Sequence, residues 1–95
     1  MAQKIANTAI DACGCIREAN ATFLNVEDKT DVSNKYRRNK QIESYAKLNA
    51  LLTYIEIAYN LNNINGDRIR YWTELTVKTL NALKAWMISD QERLK

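Results

Sequence analysis

A run of basic residues is the strongest chemical signal in the sequence. The segment Lys35-Tyr36-Arg37-Arg38-Asn39-Lys40 places four positive charges within six residues. On a helix, Arg37, Lys40 and Lys47 follow one face at steps of three and seven, so they form a candidate strip for phosphate groups. The ring of Tyr36 could stack on a base. The alternative interpretation is that the run is the solvated, charged end of a long helix.

Catalytic and metal-binding patterns are missing from the sequence. It contains no histidine, the commonest general base and metal ligand. Cys13-Gly14-Cys15 looks like a redox or metal motif, but residues two apart on a helix point about 200° away from each other. Both cysteines are therefore predicted to be packing residues. We predict no catalytic residue, metal ligand or cofactor, and hence no enzyme; an enzyme using tyrosine and lysine side chains is the remaining alternative.

The length and charge indicate one small domain over residues 1–95. The net charge is +3, but residues 1–34 hold three Lys/Arg against five Asp/Glu, whereas residues 35–95 hold eleven against six. Excess positive charge therefore lies in the second part of the chain. No apolar run approaches the roughly 20 residues that span a bilayer, and the N-terminus lacks a signal-peptide core. The sequence predicts a cytoplasmic protein without a membrane segment.

Three segments have helical periodicity, over about residues 2–23, 32–61 and 66–93. Proline is absent and only two glycines occur, which argues against a turn-rich β protein. The second helix has too wide an apolar arc for a single neighbour, so we expect it to be central. The predicted apolar stripe of the first helix is Ile5, Ala9, Ala12, Ile16, Ala19 and Phe23. The predicted stripes of the second are Ile42, Tyr45, Leu48, Leu52, Ile55 and Tyr59, and Leu51, Tyr54, Ala58 and Leu61. The predicted buried face of the third is Ile69, Trp72, Leu75, Thr76, Leu80, Leu83, Trp86 and Met87.

The two connections are short and contain helix-capping residues. Thr30 or Asp31 is a plausible N-cap of the second helix, and Asn65 of the third. Asn62 or Asn63 can adopt the left-handed geometry that ends a helix. Short connections make neighbouring helices antiparallel. The predicted fold is therefore an all-α, antiparallel up-and-down helical bundle with three long helices.

Several of these segments together resemble a known family. They are residues 51–65, which run from an apolar helix ending in Ala-Tyr-Asn-Leu to Asn65, and Leu83-Lys84-Ala85-Trp86-Met87. Gln3–Ala9 and Ile16–Asn20 are similar to the segment that leads into them. The family is the four-helix-bundle group that contains the accessory variability determinant (Avd) of diversity-generating retroelements. Bundle proteins encoded in bacterial 23S rRNA intervening sequences are its relatives.

The resemblance implies a binding role. The first residues align with the family's second helix, so the usual first helix is missing, which leaves a groove for a partner chain to cover. It implies a non-enzymatic accessory protein that binds a reverse transcriptase and its template RNA, or an RNA/DNA hybrid, as a basic homo-oligomer, with a pentameric ring as the family's form. The alternative is a helical protein-interaction scaffold with no nucleic-acid role. The basic strip, the set of candidate contact residues, is Lys35, Tyr36, Arg37, Arg38, Lys40 and Lys47.

Overall fold

The computed structural model describes residues 2–61 and 65–95, and it confirms the all-α class. Its helices are α1 (Ala2–Ala21), α2 (Val32–Asn60) and α3 (Gly66–Arg93). The described residues contain no strand. Helix α1 ends two residues before the predicted bound and α2 one residue before it. The helix-ending geometry predicted for Asn62 or Asn63 lies outside the described residues.

Side chains cap the beginnings of α2 and α3. The Asp31 carboxylate accepts a hydrogen bond from the backbone N–H of Ser33 at 2.9 Å. The Asn65 side chain accepts from the backbone N–H of Arg68 at 2.9 Å. Each cap satisfies one of the N–H groups that have no partner within the first turn of a helix. The predicted caps Asp31 and Asn65 are therefore confirmed.

Helix α2 lies between the other two helices. Both α1 and α3 pack against it, whereas no Cα atom of the described part of α1 comes within 8 Å of one in α3. The predicted central position of α2 is thus confirmed. The shared core is made of buried apolar side chains from all three helices: Ile5, Ala12, Leu48, Leu51, Ile55, Ala58, Leu80 and Leu83.

The inward face of α2 follows one seven-residue repeat along its whole length. Its buried residues are spaced alternately three and four apart, and they fall into two halves of different chemistry. We call the first half the polar stripe and the second half the apolar stripe. Such spacing keeps one seam of a helix against its neighbours. The polar stripe is Asn34, Arg37, Gln41 and Ser44, and the apolar stripe is Leu48, Leu51, Ile55 and Ala58.

Five residues of the predicted apolar faces are exposed: Phe23, Ile42, Tyr59, Leu61 and Leu75. Phe23 is 81% exposed because α1 ends at Ala21, so Phe23 has left the helical phase of the stripe. Ile42 is 48% exposed because the polar stripe, rather than an apolar one, turns inward in the first half of α2. Leu75 is 46% exposed because it borders the open space between α1 and α3.

Candidate binding sites

The basic strip is divided by the helical phase of α2. Arg37 belongs to the buried polar stripe, while Lys35 and Tyr36 are exposed and Arg38, Lys40 and Lys47 are half-buried. Residues that are neighbours in the sequence therefore point into different surroundings. The structure does not bring the six predicted residues together as one open cationic face.

Arg37 is an internal ion-pair partner. It is 8% exposed. Its Nε and Nη2 donate to the two carboxylate oxygens of Asp90 at 2.7 and 2.9 Å, and its Nη1 donates to the backbone carbonyl of Thr22 at 3.0 Å. This bidentate pair is the strong, planar form of an arginine–carboxylate contact. It corrects the prediction that Arg37 lies in an exposed phosphate-binding strip, because the guanidinium is buried and its charge is paired with Asp90.

The Arg37–Asp90 pair is the centre of a buried polar network. Gln41 Nε2 also donates to Asp90, at 3.0 Å, and the Arg37 guanidinium lies 4.9 Å from the ring centroid of Trp86. The network joins the beginning of α2 to the end of α3 and, through Thr22, to the end of α1. Asp90 was not among the predicted site residues. The alternating three- and four-residue spacing, continued from Leu48 towards the N-terminus, places Arg37 on the buried face of α2. A buried arginine needs an acidic partner, so this spacing is the signal that could have indicated one.

Lys40 and Tyr36 both bind Glu18 of α1. Lys40 Nζ lies 3.1 Å from Glu18 Oε2 and 3.3 Å from a carboxylate oxygen of Glu43. The Tyr36 hydroxyl donates to Glu18 Oε2 at 3.0 Å. The hydrogen bond from Lys40, and then that from Tyr36, hold the pKa of Glu18 below its usual value. The hydrogen bond to Glu18 raises the pKa of Tyr36, and the bonds to Glu18 and Glu43 raise the pKa of Lys40. These two members of the basic strip thus connect α1 to α2.

Three cations of the basic strip make no ion pair within the described residues: Lys35, Arg38 and Lys47. Lys35 is exposed to solvent and Lys47 is half-buried. Arg38 lines a cleft between α2 and α3 into which Lys84 of α3 also faces. Positive charge from the two helices therefore converges at the cleft rather than along the strip.

An apolar groove lies between α1 and α3, on the side of α2 that carries the apolar stripe. Its volume is about 440 Å³. Leu48, Leu51 and Ile55 form its floor. The α3 wall is Trp72, Leu75, Thr76 and Thr79, and the α1 wall is Ala2, Ile5, Ala6, Ala9, Cys13 and Ile16. We call this the α1–α3 groove.

The two cysteines have different surroundings, as predicted from their spacing. Cys13 is exposed and lines the α1–α3 groove, whereas Cys15 is buried. Burial raises the pKa of the Cys15 thiol, with the Glu43 carboxylate adding to the effect. A raised pKa makes a thiol less reactive because the thiolate is the nucleophile. Cys15 is therefore a packing residue, as predicted, whereas the same prediction is wrong for the exposed Cys13.

Comparison with protein-family models, with curated proteins and with solved structures finds no match for this chain. None of the helices in residues 2–61 and 65–95 has the length and apolar character needed to cross a lipid bilayer. The same residues hold no group of three Cys, Asp or Glu side chains arranged to bind a metal ion. The α1–α3 groove and the Arg38–Lys84 cleft are two depressions in the surface of the described residues.

Proposed function

We propose that this protein is a non-enzymatic binding protein whose α1–α3 groove accepts an amphipathic helix from a partner protein. The single observation that carries the proposal is the open, almost wholly apolar space between α1 and α3. Concave, mostly apolar pockets of roughly 300–1,000 Å³ are typical of binding sites. Apolar side chains that a fourth helix would bury are here left accessible, Leu75 among them at 46% exposure.

The dimensions of the groove support a helix as its occupant. The lining of α1 runs from Ala2 to Ile16, and at 1.5 Å per residue these 15 residues span about 21 Å. A helix of about four turns would fill that length. Ala2, Ala6, Ala9 and Cys13 present short side chains along the α1 wall. Short side chains allow helix axes to approach at the lower end of the usual 8–10 Å.

The charges at the groove indicate the chemistry of the partner helix. Arg17 follows Cys13 by one helical turn and Arg68 precedes Trp72 by one turn, so both lie on the groove side of their helices. Both are exposed. In an up-and-down bundle, where α1 and α3 run parallel, these cations lie at opposite ends of the groove. We therefore propose a partner helix with an apolar face and acidic residues near its two ends.

The up-and-down order is itself part of the proposal, and two sets of contacts support it. Lys4 at the start of α1 lies over the ring of Tyr54 near the end of α2, at 5.4 Å from its centroid. Arg37 at the start of α2 pairs with Asp90 at the end of α3. Completed by a fourth helix, this order gives the four-helix bundle that the family resemblance implies. The resemblance makes a reverse transcriptase the first partner to test, in the cytoplasm of its host.

A defined helical peptide tests the groove directly. The probe is a labelled, helix-stapled peptide of 15 residues with leucine and alanine on one face and glutamates at both ends. We expect saturable binding that is weakened about tenfold or more by Leu75→Glu, which places a charge in the apolar wall. The matched control is Val77→Glu, since Val77 is similarly exposed on α3, at 39%, but does not line the groove. Equal loss in both variants, or no binding to the unchanged protein, would refute the proposal.

The homo-oligomer implied by the resemblance is the competing occupant of the groove. Light scattering on a sizing column separates the two cases. If a second copy covers the groove, the unchanged protein is an oligomer, Leu75→Glu converts it to a monomer, and the peptide does not bind. That result would replace the partner helix with a second copy of this chain. A monomer that binds the peptide supports the proposal as stated.

The RNA-binding role implied by the resemblance is a second candidate, supported by the cations that remain without an ion pair, Lys35, Arg38 and Lys47. Contact with phosphates predicts that the affinity for RNA falls steeply as salt is raised. Arg38→Glu should weaken binding and make the salt dependence shallower. Absence of RNA binding at low salt would exclude this role. If partner binding is retained after nuclease treatment, protein interaction is the function that remains.

A further inference from the structure

The cleft between α2 and α3 is separate from the α1–α3 groove. Its volume is about 220 Å³. On α3 it uses residues near the C-terminal end, whereas the groove uses Trp72 to Thr79. On α2 it uses Arg38 and Tyr45, each one position after a residue of the polar stripe. The residues that line it are Arg38, Tyr45, Lys84, Met87, Ile88 and Gln91.

Arg38 is the unusual residue of the cleft. Its Nη1 atom is buried and has no hydrogen-bond partner within the described residues. A buried donor without a partner costs roughly 1–3 kcal/mol, so such groups are uncommon and require an explanation. The neighbouring Arg37 shows what the same side chain does when an acid is supplied, since it takes Asp90 in a bidentate pair. Arg38 faces a space where an equivalent acid could sit.

The other walls of the cleft define what kind of acid fits. Lys84 brings a second positive charge from α3, and Gln91 brings an amide. Met87 and Ile88 add apolar surface, and the Tyr45 side chain lies opposite them on α2. Two cations against apolar side chains suit a single organic anion with an apolar body. A nucleic-acid backbone instead needs a row of cations along an open surface.

We infer that the Arg38–Lys84 cleft binds a carboxylate that is attached to an apolar group. The guanidinium of Arg38 forms the planar, charge-assisted contact, Lys84 adds a second charge, and Met87 and Ile88 contact the apolar part. The carboxylate can be the C-terminus of a peptide that ends in an apolar residue, or a free organic acid. The inference does not depend on the proposed function, because no residue that lines the groove lines the cleft.

Two probes distinguish the two sources of the carboxylate. The first is an acetylated tripeptide ending in leucine, with its C-terminal amide as the control, and the second is hexanoate. Binding is measured by NMR from the side-chain N–H signals of Arg38. We expect the free tripeptide or hexanoate to bind and the amide not to bind. A tripeptide that binds more tightly than hexanoate identifies a peptide C-terminus, and the reverse order identifies a free acid.

Charge-neutralising variants locate the site. Arg38→Gln and Lys84→Gln should each weaken binding about tenfold or more, because hydrogen bonds to charged groups are the stronger ones. Lys47→Gln on α2 and Lys78→Gln on α3 are the matched controls, since neither residue lines the cleft. Arg38→Gln should unfold at the same temperature as the unchanged protein or at a higher one, because it loses no ion pair and removes the buried donor without a partner. The loss of affinity is then not a loss of fold.

Three results would overturn the inference. The first is that neither carboxylate binds the unchanged protein. The second is that the control variants weaken binding as much as Arg38→Gln does. The third is that inorganic phosphate or a short RNA displaces the carboxylate and binds more tightly, which would assign the cleft to phosphate. A failure of the helical peptide to bind the α1–α3 groove would leave all three results unaffected.

Discussion

The two halves of the inward face of α2 bury side chains of different chemistry, polar in the first half and apolar in the second. The polar stripe is covered by a network: Arg37 and Gln41 Nε2 donate to Asp90, and Thr22 supplies a carbonyl from the end of α1. Gln41 Oε1 is buried without a hydrogen-bond partner within the described residues. The apolar stripe is also buried, but Leu48, Leu51 and Ile55 form the floor of the α1–α3 groove, whose Leu75 wall is exposed. Polar groups must find partners of fixed geometry when buried, whereas apolar groups accept any surface of suitable shape. The comparison indicates that a polar network can align three helices at one end of α2 while the groove walls at the other end stay exposed.

The largest expected loss of stability comes from removing one partner of the Arg37–Asp90 pair. Arg37→Ala or Asp90→Ala should lower the free energy of unfolding by about 3–5 kcal/mol, because each leaves one buried charge without its partner. Urea denaturation followed by circular dichroism measures the change. For a domain with a typical stability of about 5–15 kcal/mol, such a loss can unfold much of the protein.

The matched control for that experiment is the next residue in the sequence. Arg38→Ala removes the same side chain from a position that has no ion-pair partner within the described residues. Its free energy of unfolding should not fall, and it should rise by up to about 1–3 kcal/mol because a buried donor without a partner is removed. If Arg37→Ala and Arg38→Ala were equally mild, the polar stripe would not hold the helices together. The neutralised pair, Arg37→Met with Asp90→Leu, should recover much of the lost stability.

A smaller effect is expected from the apolar half. Ile55 is 2% exposed on the floor of the core, so Ile55→Val should cost about 0.5–1.5 kcal/mol through one lost methylene. Chemical denaturation at several urea concentrations measures it. A cost as large as that of Arg37→Ala would contradict the ranking of the two halves.

The smallest effect concerns the exposed link between α1 and α2. Lys40→Met should raise the pKa of the Glu18 carboxyl towards its ordinary value of 4.5, because the largest cause of the lowered pKa is the Lys40 hydrogen bond. Tyr36→Phe should raise that pKa by a smaller amount. Titration of the Glu18 carboxyl carbon by NMR measures both. No rise in Lys40→Met would show that this link does not form in solution.

The sign of the accompanying pH dependence follows from the direction of the shift. A glutamate whose pKa is lowered by folding stabilises the folded state at every pH above its pKa in the unfolded chain. This stabilisation is lost as the pH falls through its pKa in the folded protein. The Glu18 contribution is therefore present above about pH 4.5 and is lost below it. Lys40, whose pKa is raised, contributes below its unfolded value of 10.5 and loses this as the pH rises further.

Periodicity predicted the helices well because it reports which side chains leave water. The bounds of α2 and α3, the caps Asp31 and Asn65, and the central position of α2 could all be predicted in this way. The same reasoning failed at the first half of α2, because it followed apolar residues only. Ile42 was therefore placed inside, and Arg37 outside, a face that buries polar groups.

The candidate sites could be predicted only in part. The sequence does not show whether an arginine is paired or faces solvent, because the partner of Arg37, Asp90, lies 53 residues further along the chain. Long-range pairing of that kind leaves no local pattern, and so Arg37 and Arg38 looked equivalent. The open groove was expected only from the family resemblance, since no periodicity reveals that the Cα atoms of two helices which share a neighbour stay more than 8 Å apart.

The seven-residue repeat of α2 has a consequence for whatever enters the groove. An ideal helix turns every 3.6 residues, so apolar side chains repeating every 3.5 on average form a seam that winds slowly left-handed around the axis. A helix lying along that seam keeps contact over several turns only if it inclines by about 20° and repeats its own apolar residues in the same rhythm. Candidate partner sequences can therefore be ranked by their spacing. Those with leucines or alanines spaced alternately three and four residues apart match the seam of α2.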